Sequence, residues 1–141
     1  MRKLILILAL AVPLAAEEPA VVTGKLVKLP DKTVAVQRNG KETRLVNLMS
    51  KDEYIAAILA DERLLGKELE AAGKWEEKDH RLDVEKLHTV HHDKMHRIAY
   101  YCETCNIWAS TPGPCVCCMA PMELKELPVE EEAQLPTKRE K

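Results

Sequence analysis

The chain has 141 residues, a formal net charge of −2 and no phenylalanine among its few aromatic residues. Affinity for nucleic acids depends on clustered Lys and Arg, and base stacking depends on aromatic side chains, so we expect no nucleic-acid partner. The length suits one small domain with its own hydrophobic core.

The first residues, MRKLILILALAVPLAA, have the order of a secretory signal peptide. Arg2 and Lys3 precede an apolar run over residues 4–12, and small residues follow Pro13. This run is shorter than the about 20 residues that span a bilayer, so an uncleaved anchor is the less favoured alternative. We predict a signal peptide over 1–16, an exported protein that is periplasmic or secreted, and no integral membrane segment after its removal.

Three strands are predicted after the signal peptide. Apolar residues alternate over 20–29, over 34–37 and over 42–49, which is the pattern of half-buried strands. Asn39-Gly40 lies between the second and third strands and is a strong hairpin signal, because both residues tolerate positive φ.

One helix follows over residues 50–66. Ser50 is a suitable N-cap, and Glu53 three residues later would complete a capping box. Gly66 suits the left-handed residue that ends a helix.

Two further strands are predicted over 67–77 and 81–90. The alternation in the second of them slips between Val84 and Leu87, which indicates a β-bulge near Glu85.

Three strands, one helix and two strands is the order of an OB-fold, a five-stranded Greek-key barrel. The stretch LLGKELEAAGKWEEKDHRLDVEKLHTV, residues 64–90, also resembles the second half of small exported bacterial OB-fold domains. We therefore expect a mainly β chain with one helix, in which an OB-fold-like barrel covers residues 17–98. Another small α+β meander is the alternative. The charged residues 125–141 are predicted to form a mobile tail.

Every cysteine of the chain lies in one short patch. Cys102 and Cys105 form one C-x2-C pair, and Cys115 and Cys118 form a second pair after a loop. Two such pairs on facing tight turns can aim four sulfurs at one point, as in a tetrahedral metal knuckle. We predict that these four residues bind a metal ion within a knuckle over 99–124.

This patch also resembles the short heavy-metal-binding, zinc-ribbon-like module of bacterial metal-export proteins. The module has a Tyr, a C-x2-His pair, a loop and the pattern Pro-Gly-x-C-x2-C. The matching residues are Tyr100 or Tyr101, Cys102, Cys105, Pro112-Gly113, Cys115 and Cys118. Cys105 replaces the His of the module, and Met119 replaces the Gly that follows its last cysteine. The resemblance implies metal binding rather than a reaction.

Several interpretations of the cysteine patch remain open. Zinc in a closed structural site suits four thiolates, and copper(I) is the alternative because it also prefers soft ligands, with Met119 and Met122 nearby. Disulfides are the second interpretation for an exported protein, although five cysteines leave one thiol over. Thiol–disulfide exchange is the third and least favoured interpretation. Neither pair opens a helix, and a helix N-terminus is what would lower a thiol pKa. Cys117 is either an exchanging fifth ligand or, as we favour, an inert buried thiol.

A second group of candidate ligands is formed by His88, His91, His92 and His96. Imidazole is a common metal ligand, but a solvated hairpin turn at His92-Asp93 explains the same pattern. We find no nucleophile with a placed base and no Gly-rich phosphate loop, so the prediction is a non-catalytic binding protein.

Overall fold

A computed structural model describes residues 18–38 and 44–129 of the chain. The predicted signal peptide and the predicted turn at Asn39-Gly40 lie outside these residues. The elements in chain order are β1 (Ala20–Lys28), β2 (Val34–Arg38), β3 (Arg44–Met49), α1 (Glu53–Leu59), a 3₁₀ turn (Glu62–Leu64), β4 (Glu68–Glu76), β5 (Arg81–His91), β6 (Lys94–Cys102), β7 (Ile107–Ala109) and β8 (Glu123–Pro128). No helix among the described residues is long and apolar enough to cross a bilayer.

The first five strands pair with one another in a cycle. β1 is antiparallel to β2 and to β4, β2 is antiparallel to β3, and β4 is antiparallel to β5. A short parallel pairing between β3 and β5 joins the two ends of this series. The prediction of a mainly β chain with one helix is confirmed, and so is the order of its first five strands.

The register between β4 and β5 contains one extra residue on β5. Ala72 faces Lys86, whereas the next residue, Gly73, faces Val84, so Glu85 has no partner. The predicted bulge near Glu85 is confirmed. Gly73 is required here because a Cβ at this position would overlap the carbonyl oxygen of Asp83 on the neighbouring strand.

The start of α1 differs from the prediction. Asp52 is the N-cap, and its side chain accepts hydrogen bonds from the backbone N–H groups of Tyr54 at 2.8 Å and Ile55 at 3.3 Å. The predicted cap at Ser50 is wrong, because the Ser50 hydroxyl donates to the carbonyl oxygen of Val84 at 2.6 Å and so ties the loop to β5.

The helix is also shorter than the predicted span of 50–66. It ends at Leu59, and Asp61 caps a separate 3₁₀ turn by accepting a hydrogen bond from the backbone N–H of Arg63. Gly66 has the positive φ predicted for it, at 80°, but it follows Leu65, the C-cap of the 3₁₀ turn, so the prediction that Gly66 ends the helix is wrong. Asp therefore begins each of the two helical pieces, as its preference for N-cap positions explains.

β6 extends the sheet beyond the cycle. It forms a hairpin with β5 through His92 and Asp93, which both have positive φ. It also pairs with β7 near its end and with β8 along most of its length. The predicted start of a mobile tail at residue 125 is therefore wrong, because the charged segment Glu123–Pro128 supplies backbone hydrogen bonds to the edge of β6. Residues 130–141 lie outside the described part of the chain.

One hydrophobic core runs from the cycle of strands to the cysteine patch. It contains Leu26, Leu69 and Leu82 from the cycle, and it continues through Tyr100 to Cys102, Cys115 and Met122. The segment that carries the cysteines is thus packed on the sheet and has no separate core.

A polar network connects the 3₁₀ turn after α1 with β6 and with the segment that carries the cysteines. The Asp61 carboxylate, of which 6% is exposed, accepts hydrogen bonds from Arg63 and, at 2.9 Å, from the hydroxyl of the buried Tyr100. Arg63 also donates through Nη1 to the carbonyl oxygen of Met122 at 2.8 Å. Burial raises the pKa of Asp61, but the hydrogen bonds from Arg63 and Tyr100 outweigh it, so the pKa lies below its ordinary value of 3.8.

We expect Asp61→Asn to lower the free energy of unfolding by about 1.5–3 kcal/mol at neutral pH, because charge-assisted hydrogen bonds are lost. A depressed carboxyl pKa stabilises the fold above the unfolded value and loses this effect as pH falls through the folded value. The difference between wild type and variant should therefore shrink below pH 3.8. Urea titrations of both chains at several pH values measure it.

Asp52→Asn is the matched control, because Asn caps a helix about as well as Asp does. If the free energies of unfolding of wild type and Asp61→Asn differ by the same amount down to the most acid pH, the assigned role of the carboxylate is contradicted.

Candidate metal centre

The four cysteines of the two C-x2-C pairs meet at one end of the sheet. Cys102 is the last residue of β6, Cys105 lies in the turn to β7, and Cys115 and Cys118 lie in the connection from β7 to β8. Their sulfur atoms all lie within 4.8 Å of one another. The structure thus brings together the same four residues that the sequence spacing selects.

Each pair lies on a tight turn that closes with a left-handed residue. Asn106 follows Cys105 with a φ of 54°, and Met119 follows Cys118 with a φ of 61°. Asn tolerates the left-handed conformation, but Met rarely adopts it, and the sequence carries no signal for it at Met119. The two turns thus share a left-handed residue directly after the second cysteine of the pair, as expected if both aim their sulfurs at a common point.

Backbone hydrogen bonds hold the second turn. The backbone N–H of Cys115 donates to the carbonyl oxygen of Ala120 at 2.8 Å, and that of Met119 donates to the carbonyl oxygen of Cys115 at 2.9 Å. An isolated bridge between Pro114 and Pro121 closes the base of the loop. Because these bonds belong to the backbone, they position the sulfurs without help from other side chains.

Backbone N–H groups also point at the first sulfur of each pair. The N–H groups of Cys118 and Cys117 bond to the sulfur of Cys115 and lower its pKa to about 7. The N–H of Cys105 bonds to the sulfur of Cys102 and favours its thiolate, although burial and the neighbouring thiols raise the net pKa of Cys102 above its ordinary value. Such bonds stabilise negative charge on sulfur, which is the form that binds a metal.

The crowding of the thiols opposes this charge. The thiols of Cys117 and Cys118 make the largest contributions that raise the pKa of Cys105, and burial adds to them. Several thiolates cannot form so close together without a compensating positive charge. A bound cation would supply that charge and replace the protons.

The distances between the sulfurs fit tetrahedral coordination of one metal ion. A zinc–sulfur bond of about 2.3 Å implies sulfur–sulfur separations of about 3.8 Å in a tetrahedron. The sulfurs of Cys102 and Cys118 lie 3.6 Å apart, and none of the six separations in the group exceeds 4.8 Å. Disulfide bonds are about 2.05 Å long, and all five cysteines are free thiols in this structure.

The five cysteines differ in exposure. Cys102 and Cys115 are buried and belong to the hydrophobic core, Cys105 is half-buried, and Cys117 and Cys118 are exposed. The prediction that Cys117 is a buried thiol is therefore wrong. The cluster has an inner side fixed in the core and an outer side that faces solvent.

The two methionines near the cluster have different environments. Met122 is 4% exposed and packs in the core, which is the commoner use of Met. Met119 is 69% exposed, and it directly follows the exposed Cys118. Only Met119 is thus placed on the outer side of the cluster.

The histidines do not form a second centre. β5 ends at His91, so His92 lies in the hairpin turn and does not share a strand face with His88. The ring of His96 packs edge-on against that of His91 at 5.0 Å, and His91 Nε2 lies 2.9 Å from Glu126 Oε1. Across residues 18–38 and 44–129, the four cysteines are the one group of three or more metal-ligating side chains that converge.

No protein-family model, curated protein or solved structure matches the chain. The chemistry of the site is therefore argued from its own residues: four convergent sulfurs on a β-rich framework, close enough to hold one metal ion.

Proposed function

We propose that the protein binds one zinc ion through Cys102, Cys105, Cys115 and Cys118, and that the ion is structural. The convergence of their four sulfurs within 4.8 Å carries this proposal. Four thiolates fill the coordination sphere of zinc and leave no open position for a substrate, which favours a non-catalytic role.

The framework that carries the ion is proposed to be an OB-fold-like barrel. The cyclic pairing of the first five strands, the helix between β3 and β4, and the parallel contact of β3 with β5 support this assignment. Such barrels commonly present a binding surface, so we propose a small binding or scaffold module whose shape the metal helps to maintain.

The protein is further proposed to be exported. The basic start, apolar run and small residues of positions 1–16 support a cleaved signal peptide. A chain that begins at Glu17 when recovered from the exported fraction would agree with this proposal, and an intact Met1 terminus in a cytoplasmic fraction would contradict it.

Handling of copper(I) or another soft ion is the second candidate function. The donor set consists entirely of sulfur, which soft ions prefer, and the exposed Met119 adds a thioether on the outer side of the cluster. In this case the ion would be cargo that exchanges readily, whereas structural zinc would be held tightly.

Metal analysis of the exported protein separates these functions. We expect one zinc per chain that survives dialysis against a weak chelator, together with one thiol that reacts freely with an alkylating reagent. Copper that exchanges during dialysis would favour the second candidate. A metal-free protein with four cysteines in disulfides would contradict both and leave the cysteines as covalent staples.

A further inference from the structure

One pair of sulfurs connects the two cysteine turns. The sulfur of Cys102, the last residue of β6, lies 3.6 Å from that of Cys118, and the two thiols are in hydrogen-bond contact. These residues are 16 positions apart in the sequence, and each belongs to a different C-x2-C pair. A disulfide bond is about 2.05 Å long, so the two sulfurs need to approach by only about 1.5 Å to form one. Such a bond would link the two turns to each other.

The two cysteines of this contact differ in their access to solvent. Cys118 is exposed, whereas Cys102 is 3% exposed and belongs to the hydrophobic core. An oxidant that arrives from solvent therefore meets Cys118 first, and Cys102 lies directly behind it. Redox-sensitive sites commonly combine an accessible thiolate with a second cysteine that resolves the oxidised product.

Given the proposed zinc site, on which this inference rests, we propose that the site is also a target of oxidation by peroxide. The product is a disulfide between Cys102 and Cys118, and the zinc ion leaves as the bond forms. The ion is structural and tightly held for as long as all four ligands stay reduced.

The reaction has two steps. The Cys118 thiolate attacks one oxygen of hydrogen peroxide, the O–O bond breaks and hydroxide leaves, so Cys118 becomes a sulfenic acid and no longer binds the ion. The Cys102 thiolate then attacks the Cys118 sulfur, the S–O bond breaks, a second hydroxide leaves and the disulfide forms. The two thiolates lose two electrons, the peroxide gains them, and both hydroxides take up protons from solvent to become water.

Oxidation changes what holds the two turns together. Cys105 and Cys115 are the two protein ligands that remain, and a structural zinc site needs four. The new disulfide then connects the end of β6 to the second turn in place of the ion. A thiol reductant followed by zinc would restore the original site.

Peroxide titration of the zinc-loaded wild-type chain tests the inference. A chromophoric chelator should detect one zinc released for each disulfide formed. Cleavage after Glu103 and after Trp108 separates Cys102 from the other cysteines, and fragmentation of the linked peptides should then show Cys102 joined to Cys118.

Other products would contradict this assignment. A disulfide within either C-x2-C pair, Cys102 with Cys105 or Cys115 with Cys118, would overturn the inference, and so would a disulfide that contains Cys117. Oxidation that leaves the zinc bound would also overturn it. A chain that holds no zinc before peroxide is added would instead mean failure of the proposed function itself.

Cys117→Ser removes the exposed cysteine that lies outside the convergent group of four. We expect this variant to bind zinc, to release it to peroxide at the wild-type rate and to form the same disulfide. Val116→Ser, a change at the neighbouring side chain that is 86% exposed, is the matched control. If Cys117→Ser releases zinc much more slowly than Val116→Ser does, Cys117 is the thiol that peroxide attacks, and the inference is overturned.

Thermal unfolding measures whether the disulfide replaces the ion as a link. The oxidised, zinc-free chain should unfold about 5 °C or more above the reduced, zinc-free chain, because the cross-link restricts the unfolded state. An equal or lower midpoint for the oxidised chain would overturn this part of the inference.

Discussion

Replacement of Cys115 by Ser is expected to reduce the bound metal by at least about tenfold and to lower the thermal midpoint by about 10 °C or more. Cys115 is fully buried, and its sulfur accepts two backbone N–H hydrogen bonds. A hydroxyl there is a poor ligand for a soft or borderline ion, and the remaining three thiols would lose the cation that balances their charge. Metal content by mass spectrometry and unfolding by circular dichroism measure the two effects.

The metal-free wild type is the control for this substitution. If the loss of stability comes from the ion, the variant and the chelated wild-type chain should unfold at similar temperatures. A variant that keeps one zinc per chain would contradict the four-sulfur site. A variant far less stable than the chelated wild type would instead show that Cys115 acts mainly through packing.

Gly73→Ala is expected to lower the free energy of unfolding by about 3 kcal/mol, the upper part of the usual range for overpacking. The added Cβ would overlap the carbonyl oxygen of Asp83, and backbone cannot move aside as a flexible side chain can. The bulge at Glu85 and the pairing of β4 with β5 would both have to change. Chemical denaturation of the variant and the wild type measures the difference.

Ala72→Ser adds the same number of heavy atoms at the adjacent position of β4, which is half-buried. We expect this control to change stability by no more than about 0.5 kcal/mol, as is usual for surface positions. If Gly73→Ala and Ala72→Ser lose the same free energy of unfolding, β4 tolerates neither change. The close contact with Asp83 would then not be the cause of the loss in Gly73→Ala.

Local patterns in the sequence account for most of the strands. The alternation of apolar residues places β1, β4 and β5 within two residues at each end, and the slip in that alternation locates the extra residue at Glu85. These features are predictable because each one reflects burial of a single face of a strand.

The features that the sequence prediction missed depend on tertiary partners. Ser50 and Asp52 are both good caps, and Asp52 takes this role because the hydroxyl of Ser50 is bonded to Val84. The segment Glu123–Pro128 is too charged to indicate a strand, and it forms one because β6 offers it an edge. No local pattern shows either partner.

The sequence predicts which residues form the candidate site, but it predicts their exposure and backbone conformation less well. The C-x2-C spacing selects the four residues, since it reflects the geometry of a tight turn. Spacing carries no information on exposure, so the position of Cys117 on the solvent side required the structure. The turn at Met119 was also missed, because a left-handed Met goes against its local preference.

The pairing of β3 with β5 has a consequence for the order of folding. These strands lie far apart in the chain, so closing the cycle carries a loop-entropy cost that local hairpins avoid. The hairpin of β5 with β6 and the turns that carry the cysteines involve only short connections. Once the whole chain is present, an ion captured by those turns would give it a fixed nucleus against which the slower cycle of strands could assemble.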